Sequence, residues 1–305
     1  MPKNCNIVWP NISNYKVKED KHTHNPTHNP TNGLLIKDII RRSSEIRDQV
    51  MVFKLPRIII DSDKLLTDFA ETIYLLNSCG AKIFIIHDHS DLVLSTLKLF
   101  GFNGSYLNNP SGLDSRTSNI VEMVLSGYIN KRIVSKLCSV GCYAIGISCK
   151  DANLIQAKKS KLSHRRATNH DVIDIEFVSE PVMINPEILL NFEDNNIISV
   201  ISPIASDDKE NTHLLDVNLT TAIISSTLSA DHLIFLNEEK AWKGKNFKAQ
   251  DSAILYEMLE TGDFKEIGLL EAAISAIENS TDCVHFVNGS SPDSIILNII
   301  MNENN

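Results

Sequence analysis

A few short stretches carry residue types with chemistry of their own. His87-Asp88-His89 places two imidazoles around a carboxylate. Such residues can ligate a metal ion, yet one short cluster with no partner at a fixed spacing is a weak signal. His22, His24 and His28 sit in KHTHNPTHNPTNG, a run of biased composition that reads as a solvated tail. Cys138 and Cys142 are four apart, but no histidine follows them at a zinc-like interval. The six cysteines (Cys5, Cys79, Cys138, Cys142, Cys149 and Cys283) include no Cys-x-x-Cys pair. They read as reduced, largely buried thiols of a cytoplasmic protein. No metal ligand set is assigned. The basic run Lys158–Arg166 is the kind that forms a solvated loop or hairpin.

Composition narrows the classes of function. The chain has 305 residues, 43% of them hydrophobic, enough for a large α/β core. Its formal net charge of −9 argues against a nucleic-acid binder, which needs a basic face. No apolar run is long enough for a bilayer, and the amino terminus lacks the pattern of a signal peptide. The expectation is a cytoplasmic protein that binds neither nucleic acid nor membrane. Glycines number only 12, fewer than the roughly 7% of an average chain. Phosphate-handling loops use glycine where backbone N–H groups approach the anion, so the residues in the loops after strands bear on that chemistry.

The elements that would position such loops follow from periodicity. Residues 1–33 lack any apolar period and read as an unstructured arm. Residues 34–50 read as an amphipathic helix through Leu35, Ile36, Ile39, Ile40 and Ile46. Residues 51–305 read as a single domain in which strands and helices alternate. Arg57–Ile60 is expected as the first buried strand, 67–79 as a helix closed by Gly80, and Ala81–Ile86 as the second strand, running into His87. A helix over 92–101 and a loop over 102–118 come next. The stretch 119–155 reads as helix, break at Gly127, helix, turn at Gly141, then Tyr143–Ser148 as a buried parallel strand. The last part, 250–304, reads helix, helix, strand, helix. This alternation predicts an α/β protein, an open α/β/α sandwich around a mostly parallel sheet.

VEMVLSGYINKRIV and the GCYAIGISCKD run resemble the middle of the acetylglutamate kinases, of the amino acid kinase family. DIEFVSEPVMINPEILLNFEDNNIISVISPI and VHFVNG extend the resemblance over about residues 51–300. Cys142 and Cys149 stand where that family has glycines. The family's first strand ends in Lys, an apolar or aromatic residue and Gly-Gly. With Arg57–Ile60 as that strand, the lysine position falls on Ile60 and the glycines on Ser62 and Asp63. The second strand's His-Gly-Gly-Gly-Pro is matched by His87-Asp88-His89-Ser90-Asp91, so only the histidine is kept. The substrate Arg position falls on Ser111, with Asp114 beside it and Arg116 nearby. The first substrate-binding Asn is Leu214, and Asp216 holds the second Asn position. Asn218 replaces the Asp that organises the catalytic lysines, and Leu269 holds the second lysine position. His89, Ser90, Ser111 and Leu214 are thus degenerate substrate-binding positions.

The resemblance implies the amino acid kinase-like fold and a homodimer, in which the helix over 119–126 lies at the contact. It also implies a reaction: ATP-dependent phosphorylation of N-acetyl-L-glutamate, a step of arginine biosynthesis. The replaced positions point instead to a protein without kinase activity, kept as a binding or scaffold partner of an unidentified protein. No cofactor is expected then, and Mg-ATP only if activity survives through displaced lysines such as Lys64 or Lys265. A non-catalytic amino-acid sensor is the remaining alternative.

Overall fold

The computed structural model describes residues 41, 43–102, 115–158, 178–237, 247–262, 264, 266–291 and 294–300. The arm over 1–33 lies outside them, as do Ser111, Asp114, Lys265 and most of the basic run. Of the helix expected over 34–50, only its end is described. It stops sooner, because Asp48 takes a left-handed backbone and Val50 already begins a strand.

A seven-stranded sheet runs in the order β10-β11-β9-β1-β2-β6-β3. Its strands are β1 Val50–Leu55, β2 Lys82–His87, β3 Ala144–Ser148, β6 Ile198–Ser202, β9 His232–Asn237, β10 Phe247–Ala249 and β11 Val284–Asn288. All neighbours pair parallel except β10, which is antiparallel to β11. Four short strands form a small closed barrel in the order β4-β5-β8-β7: β4 Ile155–Lys158, β5 Val178–Ile184, β7 Ile204–Ser206 and β8 Thr212–Leu215. The helices used below are α1 Asp63–Ser78, α2 Asp91–Leu99, α3 Ser115–Glu122, α4 Asn130–Ser139, α5 Glu187–Asp194, α6 Val217–Thr227, α7 Ser252–Thr261, α8 Ile267–Glu278 and α9 Ser294–Ile300.

β1 is central and buried along its whole length. Its period of two sends Met51, Phe53 and Leu55 into one core with Phe69 and Ile73 of α1. Val50 and Val52 enter the opposite core with Leu269 and Leu270 of α8. Apolar layers on both faces are what a parallel sheet requires, and the α/β sandwich is as the sequence implies.

Two strand assignments need correction. Arg57–Ile60 is a single helical turn, not a strand. Pro56 sits at its start, where a missing N–H costs nothing, and the first strand lies just before it. Tyr143–Ser148 does contribute a parallel strand, but β3 lies at the sheet edge rather than between covered faces. Tyr143 is 73% exposed. Gly127 makes no break either. The chain passes from α3 through a π-helical segment, Met123–Ile129, straight into α4. Arg116 therefore stands on a helix and is exposed.

Gly146 is required by close approach. A Cβ there would meet Asn130 Oδ1 at 1.8 Å. Asn130, the first residue of α4, is fully buried and donates to the carbonyls of Val200 at 2.9 Å and Ile147 at 3.3 Å. It ties the helix to β6 and β3.

Candidate functional site

Parallel strands bring their carboxyl ends to one edge, where open α/β sheets form their clefts. There Lys54, one residue from the end of β1, is 6% exposed. The pleat puts it on the face of Val50 and Val52, while its register partners are Ile86 of β2 and Phe235 of β9. A lysine buried this deeply needs partners. Its Nζ lies 3.2 Å from Asp88 Oδ2 and donates to Asn237 Oδ1 at 3.1 Å. Asn237 ends β9 and passes the contact on, its Nδ2 donating to Glu266 Oε2 at 2.9 Å, just before α8.

The loop after β2 is knotted to itself. The Asp88 N–H donates to Leu55 O at 2.9 Å. Asp88 Oδ1 accepts from the His89 backbone N–H at 2.8 Å and meets His89 Nδ1 at 2.7 Å. Ser90 Oγ donates to Asp61 Oδ1 at 2.5 Å, and the Asp91 N–H reaches Asp61 Oδ2 at 3.3 Å. Arg57 is held by Asp91 at 2.8 Å. Carboxylates of the chain thus take up Lys54, Arg57 and the N–H groups of His89 and Asp91, and the Leu55 carbonyl takes the N–H of Asp88.

The protonation states follow the same logic. Burial pushes the Asp88 carboxyl up, but the Lys54 charge and the His89 contacts outweigh it and hold it well below the usual range. His89 is raised: burial opposes its charge, and the hydrogen bond to Asp88 prevails. Burial lowers His87 to about 4, so its ring is neutral at pH 7. Its Nε2 has no hydrogen-bond partner among the described residues. Asp216 caps α6 through Leu219 N at 2.9 Å. Burial raises it first, and the Asp88 charge adds to that.

The expected positions fall out unevenly. Ile60 is not on the first strand. Its side chain packs in the core, and its carbonyl accepts a hydrogen bond from Arg132 Nη1. With the strand ending at Leu55, the Lys-apolar-Gly-Gly pattern falls on Lys54-Leu55-Pro56-Arg57. The lysine is kept and the glycines are Pro56 and Arg57, which corrects the placement at Ile60, Ser62 and Asp63. Ser62 instead caps α1, accepting from Leu65 N at 3.3 Å. Lys64 does not reach the cleft. Its side chain is 86% exposed, 3.8 Å from Asp68 one turn on. Leu269 and Leu214 are buried among apolar residues. Asn218 turns a buried Oδ1 that lacks a partner among the described residues. His89 and Ser90 do lie at the cleft, bound to Asp88 and Asp61 as above.

Beside the cleft, Lys150 Nζ reaches Glu122 Oε2 and Thr212 Oγ1, each at 2.7 Å, linking α3, the turn after β3 and the barrel. Within the barrel Ser179 Oγ lies 2.8 Å from His213 Nδ1, and His213 Nε2 lies 3.1 Å from Asp207 Oδ2. The sequence reading missed Lys54, Asn237 and Glu266. A signal for the first was present: VMVFKL is an apolar run ended by Pro56.

Residues 49–288 match the model of the amino acid kinase family. The chain belongs to the amino acid kinase family. Within it, the chain is acetylglutamate kinase-like. It is 33% identical over 260 residues to an acetylglutamate kinase of Campylobacter hominis, covering 84% of this chain and 88% of the relative. It is 28% identical over 270 residues to an acetylglutamate kinase of Archaeoglobus fulgidus, covering 85% and 92%. Among solved structures, the N-acetylglutamate synthase of Neisseria gonorrhoeae complexed with coenzyme A and N-acetyl-glutamate superposes with a TM-score of 0.67. Its identity is 16%, with 88% of this chain and 61% of that one covered. Carbamate kinase from Giardia lamblia bound to AMP-PNP gives 0.58 at 14% identity, covering 81% and 95%. These neighbours share the fold of this amino acid kinase family member.

Proposed function

We propose that this amino acid kinase family member does not transfer phosphoryl groups, and that it serves as a binding or scaffold protein. One observation carries the reading: Lys54 is closed into a buried pair with Asp88 and bonded to Asn237. Phosphoryl transfer runs on positioning and charge stabilisation. Here the cation is already neutralised. Mg-ATP does not fit the cleft edge as built. Pro56 has no N–H, and the N–H groups of Asp88, His89 and Asp91 already have acceptors within the chain.

The retained Lys54 favours a second reading, ATP-dependent phosphorylation of N-acetyl-L-glutamate or a related acyl amino acid. Lys54 would then exchange Asp88 for a phosphate oxygen. Incubation with Mg-ATP and N-acetyl-L-glutamate, with hydroxylamine to trap acyl phosphate, separates the two. The first reading expects no hydroxamate above a protein-free blank. Hydroxamate that vanishes in Lys54→Met establishes the second.

We also propose a homodimer. The π-helical segment exposes Met123 by 54% and Tyr128 by 60%, and the edge strand β3 exposes Ile145 beside Tyr143. Large apolar side chains at a helix face, and a strand edge unpaired among the described residues, are surfaces that proteins commonly cover.

A further inference from the structure

Three side chains with metal-ligand chemistry meet at the other edge of the sheet, where β9 and β11 begin. His232 opens β9, Cys283 immediately precedes β11, and His285 is its second residue. Parallel pairing holds them together. His285 is opposite Ile234 and Val284 opposite Leu233, while the Leu233 N–H donates to the Cys283 carbonyl at 2.8 Å. His232 Nδ1 lies 2.9 Å from His285 Nε2. One nitrogen of each ring and the Cys283 sulfur all fall within 4.8 Å of one another. Cys283 and His285 are buried, and half-buried His232 gives a route from solvent.

The surroundings suit ligation. His232 Nε2 meets Gln49 Oε1 at 3.1 Å, so that nitrogen has an acceptor for its proton and the Nδ1 lone pair is turned to the cluster. His285 Nδ1 is buried with no hydrogen-bond partner among the described residues. Asp231 and Asp282 add negative charge beside the ligands, and Lys248 opposes them. A hydrogen bond between the two imidazoles explains their approach but leaves the thiol without a role.

We propose that His232, Cys283 and His285 bind a thiophilic divalent cation, Zn2+ in the first instance. Two imidazoles and a thiolate are a zinc donor set, with a water completing the tetrahedron. The cation replaces the Cys283 proton, which leaves to solvent, and no electron changes hands. Zn–N bonds of about 2.0–2.1 Å at tetrahedral angles separate the two nitrogens by about 3.3 Å, so the rings part by a few tenths of an ångström.

Co2+ titration of the full chain, followed by absorption, tests this. To silence the arm, the measurement uses His22→Asn, His24→Asn and His28→Asn together. The expected result is one Co2+ per chain with a thiolate-to-cobalt charge-transfer band, displaced by Zn2+. The band is lost in Cys283→Ser, and affinity falls at least tenfold in His232→Gln. Absence of the band, or its persistence in folded Cys283→Ser, overturns the site. Should Cys283→Ser fail to fold, His232→Gln decides: affinity unchanged from the parent overturns it too.

Discussion

Lys54 shows how one residue sets the character of the cleft. A buried ion pair gains little over an apolar pair, yet losing one partner strands a charge at about 3–5 kcal/mol. Asp88→Asn and Lys54→Met should each destabilise the protein by roughly that amount in urea unfolding. The double substitution should cost clearly less than their sum, because no lone charge remains. Strict additivity would mean that the 3.2 Å contact carries no coupling. The lysine escaped the sequence reading for a local reason. RIII has three isoleucines in a row and reads as a strand, whereas VMVFKL before it carries the buried charge. Pro56 was the arbiter, since proline suits the start of a helical turn better than the lead-in to a central strand. Asn237 and Glu266 could not be read at all. Their contacts join segments separated by 183 and 29 residues.

At the scale of elements, the seam between α4 and the sheet edge is the most exacting. Asn130 has no room beside anything but glycine at 146. Gly146→Ala should therefore cost about 1–3 kcal/mol by overpacking. Asn130→Ala should cost about 1–3 kcal/mol by removing the buried amide's hydrogen bonds to Val200 and Ile147. Urea midpoints check both, and midpoints within error of the parent would contradict the packing described. Helix and strand existence was largely legible here, because apolar periods of 3.6 and 2 belong to the chain itself. Place in the sheet was not. β3 has the apolar run of a covered strand, but only topology puts it at the edge. The π-helical passage through Gly127 was equally hidden, since one glycine in a helical pattern reads as a break. Cys283 and His285 form Cys-x-His, too short a spacing to signal a ligand set, and His232 joins them only through strand pairing.

For the molecule as a whole, pH response and assembly follow from the same structure. His87 titrates near 4 in the fold against 6.5 when free, because burial penalises its charge. Between those values the unfolded chain binds more protons, so stability is complete above pH 6.5 and drains away toward pH 4. The loss from His87 alone is about 3 kcal/mol. His89 works the other way, since its raised value favours the fold at lower pH. Urea unfolding across pH 4–7 should therefore show declining stability on acidification, and His87→Gln should flatten the decline. Equal slopes in the two proteins would contradict this assignment. Sedimentation should give a dimer at micromolar concentration, weakened in Tyr128→Glu, and a monomeric parent protein would remove the proposed interface. Lys54, Arg57 and the N–H groups of Asp88, His89 and Asp91 already have acceptors within the chain, which leaves a nucleotide phosphate without them. Calorimetric titration with Mg-ATP, with and without N-acetyl-L-glutamate, tests it most directly. No binding heat is expected at millimolar ligand from protein shown to be folded. Saturable binding of both ligands would contradict it and return the cleft to catalysis.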